Sequence, residues 1–280
     1  MLKTIDNTLE RLEKTLEELL AETRPAALFE AIRHAVLGGG KRIRSQLCLA
    51  AASVVGGRTE DALYPACAIE LLHSYTLVHD DLPAMDNDTV RRGKPSVWAT
   101  FGEATAILAG DALQALAFQT AARAPRNGEK ILAALGEAAV GVVRGQSEEL
   151  STANSHPSTS THLSSISYQI SSTTQLSTLN TAFIYRHKTA DLFIAAAVMG
   201  AYAGGGTEAD VARLREYALN LGLAFQYEDD LLDGDVGFPP EEARRRIADH
   251  TAAALTSLED LPGDTAFLSA LAHSLARRTA

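Results

Sequence analysis

A helical apolar stripe that runs without a break into carboxylates does most to limit what this chain can fold into. Val211, Leu214, Ala218, Leu221 and Phe225 recur at spacings of three and four, the period of one helix face. Continued onward, the stripe reaches Asp229 and Asp233 in the run Asp229-Asp230-Leu231-Leu232-Asp233. Asp229 and Asp233 are i and i+4, so they share the inward face. An unpaired carboxylate on a buried face is costly and needs a cation or a metal. The same construction occurs earlier, where the apolar run Ala66 to Val78 ends in His79-Asp80-Asp81-Leu82-Pro83-Ala84-Met85-Asp86. Asp80 lies one turn beyond Thr76 and two beyond His73 and extends an inner stripe. Two acidic clusters, each ending a buried helix, read as two walls of one metal site. Hard cations such as Mg²⁺ take carboxylate oxygens and leave room for substrate phosphates.

The rest of the chain supports this pair. Ile5, Leu9, Leu12, Leu16 and Leu19 mark an amphipathic first helix. Pro25 suits the start of a second, which Gly38-Gly39-Gly40 ends. Lys41-Arg42-Ile43-Arg44 opens a third that closes at Gly56-Gly57, and a fourth runs from Glu60 to Asp80. Ala99 to Ala122 and Glu129 to Leu150 are rich in strong helix formers. Helices from Glu241 to Leu258 and Thr265 to Arg277 finish the chain. No segment alternates with a period of two. The expectation is an all-α, single-domain bundle of about ten helices. Ser151 to Thr181 stands apart, with 17 Ser or Thr in 31 residues and no Asp, Glu, Lys or Arg. Such a composition buries too little apolar surface to offset its ordering entropy. It reads as a flexible surface insertion, with a short helix around Leu163 to Leu179.

Composition excludes some classes. A net charge of −10 argues against a general nucleic-acid binder. Cys48 and Cys67 lie in apolar helical stretches and read as buried thiols. No apolar run approaches the ~20 residues of a membrane span, and the N-terminal region has neither signal- nor transit-peptide character. A soluble cytoplasmic protein is expected. Anions remain possible ligands, because Lys41 and Arg44 sit i and i+3 at an expected helix N-terminus. Arg91, Arg92 and Lys188 add further cations, and Arg suits phosphate through its fork geometry. Taken singly, each is an ordinary surface charge. There is no zinc spacing, no P-loop and no nucleophile elbow.

In combination these motifs resemble the short-chain trans-prenyltransferases, and most closely the bacterial-type farnesyl diphosphate synthases. The resemblance is carried by Gly39-Gly40-Lys41-Arg42-Ile43-Arg44, by the stretch from His73 to Asp86, by Arg91-Arg92-Gly93-Lys94-Pro95, by Leu108 to Leu113, by His187-Lys188-Thr189, and by Gly222 to Gln226 leading into the second acidic cluster. It implies a helical bundle around a central cavity, a homodimer, and two or three Mg²⁺ ions. It implies that Asp80, Asp81 and Asp86 hold metal from one side and Asp229 and Asp233 from the other, with Asp230 and Lys188 also part of the catalytic set. Arg91, Lys188, Thr189 and Gln226 are expected on the allylic diphosphate, and Lys41, Arg44, His73 and Arg92 on isopentenyl diphosphate. A bulky aromatic at the fifth position before the first Asp limits chain growth in that family, and Tyr75 holds that position, with Thr76 beside it. A farnesyl (C15) product is therefore expected. A geranylgeranyl (C20) synthase, or a member with impaired or no catalysis serving as a partner subunit, are the alternatives. The chain departs from the family in the length of the segment between Gln146 and Arg186. It also has no Lys after Lys188, where the family carries a lysine-bearing loop.

Overall fold

A computed structural model describes the backbone of residues 2–154, 180–234 and 239–277. Side chains of residues 2–7, 153, 154 and 233 are outside that description. Among the described residues there are eleven α-helices. They are α1 (Leu2–Leu19), α2 (Ala26–Leu37), α3 (Ile43–Val54), α4 (Leu63–Asp80), α5 (Val97–Phe101), α6 (Glu103–Ala121), α7 (Gly128–Asn154), α8 (Asp191–Gly204), α9 (Glu208–Asp233), α10 (Pro240–Ser257) and α11 (Ala266–Leu275). The one sheet among them is a two-residue hairpin, β1 (Val90–Arg91) with β2 (Lys94–Pro95). The all-α expectation holds. No helix among the described residues is long and apolar enough to cross a membrane.

The core follows from helices that are apolar on every side. Along α8 the residues from Asp191 to Ala201 are all buried, and in α4 every residue from Pro65 to Leu72 is buried, together with Ser74, Thr76 and Val78. A helix apolar all round belongs inside a bundle. α8 packs against α3, α7 and α9, and α4 against α3, α6 and α8. Small residues set the spacing: a Cβ added at Gly200 would lie 2.0 Å from the Cys48 carbonyl oxygen of α3. Cys48 and Cys67 are free and buried, as expected.

Boundaries differ from expectation where tertiary contacts intervene. Arg42 adopts a left-handed conformation (φ 51°) and caps α3, so Lys41 precedes the helix instead of opening it. The fourth helix begins with a 3₁₀ turn, Thr59–Ala62. Gly102 (φ 84°) splits the expected Ala99 to Ala122 helix into α5 and α6. α7 extends four residues into the expected insertion, to Asn154, and residues 155–179, including the short helix expected there, lie outside the described residues.

One buried ion cluster ties the first four helices together. Arg42, 5% exposed, donates from Nη1 to Glu70 Oε1 at 2.8 Å, from Nε to Glu13 Oε1 at 2.7 Å and from Nη2 to the Val36 carbonyl at 2.7 Å. Ser45 Oγ lies 2.9 Å from the other Glu70 oxygen. Removing one member of a buried pair leaves an uncompensated charge. Glu70→Gln is expected to lower unfolding free energy by about 3–5 kcal/mol, read from chemical denaturation. A loss under about 1 kcal/mol, the range of an exposed pair, would contradict the assignment.

Candidate active site

The first acidic cluster forms where α4 stops. Pro83 has no backbone donor and ends the helix, and the chain folds back so that the Asp86 N–H donates to the Asp80 carbonyl at 2.9 Å. This brings Asp86 to the end of α4 beside Asp80. Burial raises the Asp80 carboxyl to about 7; the charge of Lys188 opposes this, while Asp86 and Glu149 reinforce it. Asp81 turns elsewhere. It is 2% exposed and accepts from Arg91 Nε at 2.9 Å and Nη2 at 2.6 Å. Arg91 Nη2 also reaches Asp88 at 2.9 Å.

The Arg91–Lys94 hairpin positions two of the expected cations. Arg92 (φ 54°) and Gly93 (φ 72°) form its tight turn, the geometry that matches strand twist in two-residue loops. Arg92 then donates to the Gly39 carbonyl. A Cβ on Gly40 (φ +136°) would sit 2.9 Å from the Arg92 guanidinium carbon, so only glycine permits this approach. Arg44 Nη1 lies 3.3 Å from His73 Nε2 and its guanidinium stands 4.7 Å from the Phe193 ring centroid. Burial lowers the Arg44 pKa to about 10, with Arg92 adding to the shift and the charges of Glu70 and Asp229 opposing it. Burial, then Arg44, holds His73 well below its ordinary pKa, so it is a neutral imidazole. Arg44 Nε and His73 Nδ1 are buried without a hydrogen-bond partner. Lys41 is exposed just ahead of this group.

Lys188 and Thr189 occupy a π-helical turn, Tyr185–Ala190, a distortion frequent at functional sites. Lys188 Nζ bonds Glu149 of α7 and its charge reaches Asp80. Thr189 Oγ1 donates to Gln226 Oε1 at 2.5 Å, and Gln226 Nε2 donates to Asp230 Oδ1 at 2.7 Å. Asp229 acts electrostatically on Arg44. The two walls are thus linked from Asp80 through Lys188 and the π turn to Gln226 and the second cluster. Asp233 is the last residue of α9, and its side chain lies outside the described residues.

A cavity of about 430 Å³ opens beneath Asp80, lined by Tyr75, Thr76, Met85, Val142, Val143 and Gln146 among others. Tyr75 meets His79 edge-on, with ring centroids 5.0 Å apart. Gln146 has both amide atoms buried and unpartnered, so its amide is available to a ligand or a water. Gln146 and Glu149 were not among the expected site residues. They sit in the polar run Gln146-Ser147-Glu148-Glu149, in which no local pattern singles them out.

The donors suit a hard cation. They are carboxylate oxygens, and the Asp80 carboxyl is raised chiefly by its burial, a cost that a bound cation would offset. Among the described residues no three His, Cys, Asp or Glu side chains converge closely enough to hold an ion unaided. An ion here would draw further oxygens from a bound diphosphate or water, the habit of Mg²⁺.

The sequence pattern of polyprenyl synthetases matches residues 25–236. The chain belongs to the polyprenyl synthetase family. Geranylgeranyl pyrophosphate synthase 4 of Arabidopsis thaliana is 40% identical over 229 residues, covering 80% of this chain and 57% of that protein. The geranylgeranyl diphosphate synthase of Cyanophora paradoxa is 42% identical over 231 residues, covering 80% of this chain and 71% of that protein. The chain thus spans little more than half the length of several curated relatives, 57% for two of them. Among solved structures, the geranylgeranyl pyrophosphate synthetase of Pyrococcus horikoshii superposes with a TM-score of 0.84 at 29% identity, covering 99% of this chain and 98% of that one.

His73→Phe removes the neutral ring beside Arg44 and is expected to weaken inorganic pyrophosphate binding about tenfold, a loss on the scale of one charge-assisted hydrogen bond. Calorimetric titration checks this, and an unchanged affinity would show that His73 takes no part in binding pyrophosphate.

Proposed function

We propose that the chain is a Mg²⁺-dependent trans-prenyltransferase that condenses isopentenyl diphosphate with allylic diphosphates, and that its main product is geranylgeranyl diphosphate (C20). The observation that supports this reading is the chain of contacts from the first acidic cluster to the second: the charge of Lys188 acts on the buried Asp80 at the cavity, Thr189 beside it bonds Gln226, and Gln226 bonds Asp230 next to Asp229, whose charge acts on Arg44. Asp80 and Asp86 on one wall, and Asp229 and Asp233 on the other, would hold the metal. When bound, Mg²⁺ neutralises the leaving diphosphate. Arg91, Lys188, Thr189 and Gln226 orient the allylic diphosphate. Asp81 aims the Arg91 guanidinium, and would join the ion only by releasing it. Lys41, Arg44, His73 and Arg92 receive isopentenyl diphosphate, whose double bond then attacks the allylic carbon as the C–O bond breaks, with loss of a proton. Preorganised charges that stabilise the departing anion supply much of the acceleration.

The C20 product is supported by the names of the relatives. A second reading, a C15 product, is favoured by Tyr75, whose ring lines the cavity beneath Asp80. Incubation with isopentenyl and dimethylallyl diphosphates and Mg²⁺, followed by identification of the product, decides between them. C20 is expected from the wild type; C15, lengthened by Tyr75→Ala, would establish the second reading, and no condensation would contradict both. Asp80→Ala and Asp229→Ala are each expected to reduce turnover by at least about 10²-fold while leaving the folded circular-dichroism spectrum intact. Full activity in either variant would contradict the two-walled site.

A homodimer is part of this proposal. Ile107 and Leu108 of α6 and Val140 and Val143 of α7 are exposed at 45%, 59%, 61% and 50%, and the two helices pack side by side. Val143 also lines the cavity, so a second copy on this face would shield it from water. Light scattering should give twice the chain mass, and Leu108→Asp should shift it to the monomer; a monomeric wild type would contradict the assignment.

A further inference from the structure

The second acidic cluster is also held by Tyr185, a side chain outside the substrate set. Tyr185 donates its hydroxyl to Asp230 Oδ2, while Gln226 donates to Oδ1 at 2.7 Å, so each oxygen of this carboxylate has a donor. Tyr185 is 8% exposed and its ring meets Tyr227 edge-on at 5.0 Å. Tyr227 in turn stacks on His250 of α10, with rings 5.7 Å apart and 12° from parallel. Arg246 of α10 donates from Nη1 to the Tyr227 hydroxyl at 3.0 Å and is itself fixed by Glu242 at 2.5 Å. His250 Nδ1 lies 2.9 Å from Asn220 Oδ1, which ties α10 back to α9. A path of packed rings and hydrogen bonds therefore runs from α10 to Asp230. Burial, reinforced by Asp230, raises the Tyr185 phenol well above its ordinary range, so it remains a donor.

We propose that Tyr185 is a positioning residue for the second acidic cluster, braced from α10 by Tyr227 and Arg246. A carboxylate with a donor on each oxygen is locked in one rotamer. With Asp230 locked against the π turn, the last turn of α9 is fixed relative to Lys188 and Thr189, and the adjacent Asp229 keeps its aim. Arg246 thus contributes by holding the acidic wall, since its guanidinium is committed to Tyr227 and Glu242. The inference rests on the proposed function in one respect, that the second cluster takes part in holding Mg²⁺ and diphosphate.

The test is calorimetric titration of the full chain with Mg²⁺ in the presence of inorganic pyrophosphate, which needs no prenyl transfer. Tyr185→Phe keeps the ring and deletes only the hydroxyl. Loss of a group that orients a metal ligand costs about 10–100-fold in affinity, and a fall of at least about tenfold is expected here in protein that remains folded by circular dichroism. Tyr227→Phe, which deletes only the hydroxyl that Arg246 reaches, should weaken binding in the same direction by a smaller factor. A merely structural role would lower the unfolding midpoint of Tyr185→Phe and leave its affinity for Mg²⁺ unchanged, and that result would overturn the proposal. If Tyr185→Phe does not fold, Tyr227→Phe decides, and wild-type affinity in that variant overturns the proposal equally. A wild type that binds no Mg²⁺ with pyrophosphate would instead overturn the functional reading beneath it.

Discussion

The buried pair between Arg42 and Glu70 is the constraint on which the rest of the site depends. It fixes Arg42 in a left-handed turn, and that turn decides where the Gly38-Gly39-Gly40 segment ends and where α3 starts. Arg44 then points inward beside His73, and Arg92 can reach over Gly40 to the Gly39 carbonyl. Two charges buried together cost little only when their geometry and remaining hydrogen bonds are satisfied. Here Glu13, Ser45 and the Val36 carbonyl satisfy them. A cluster of cations can therefore be held near the core while Arg42 itself stays neutralised.

Charge balance also organises the cavity. Asp81, Asp230 and Lys188 each have a partner in the protein: Arg91, the Tyr185–Gln226 pair and Glu149. The Asp80 carboxyl is raised chiefly by burial, which the charges of Lys188 and Arg91 only partly offset. Arg44 Nε and His73 Nδ1 are buried with no hydrogen-bond partner and carry unspent donor or acceptor capacity. A buried carboxylate in the first cluster and unpartnered buried nitrogens on Arg44 and His73 suit a ligand that brings both a divalent cation and an anion. A metal diphosphate has that composition.

Much of this was legible in the chain because period and chemistry coincide. The stripe from Val211 to Leu221 fixes the inward face of α9, and Asp229, which continues it, is half-buried and acts on Arg44. Pro83 marks the end of α4 by its missing donor, and the Arg92-Gly93 turn is readable from residue type. What escaped were features set by distant partners. Lys41 falls outside α3 because Arg42 turns toward Glu70 and Glu13, residues 28 and 29 positions away. Asp81 faces Arg91 although its neighbour Asp80 faces the cavity, since successive helical residues point about 100° apart. Gln146, Glu149 and Tyr185 gain meaning only when α7, the π turn and α9 meet. No local pattern distinguishes a tyrosine that braces an acid from one that fills a core.

The central claim is that Asp80 and Asp229 act on one bound metal diphosphate. A double-mutant cycle with Asp80→Asn and Asp229→Asn, read as Mg²⁺-dependent affinity for inorganic pyrophosphate, addresses it most directly. Residues that share a ligand are coupled by about 0.5–3 kcal/mol, whereas independent sites add. The account predicts that either single substitution removes most of the binding and that the double variant loses little more. Losses that simply multiply would show two unconnected acidic clusters and contradict it.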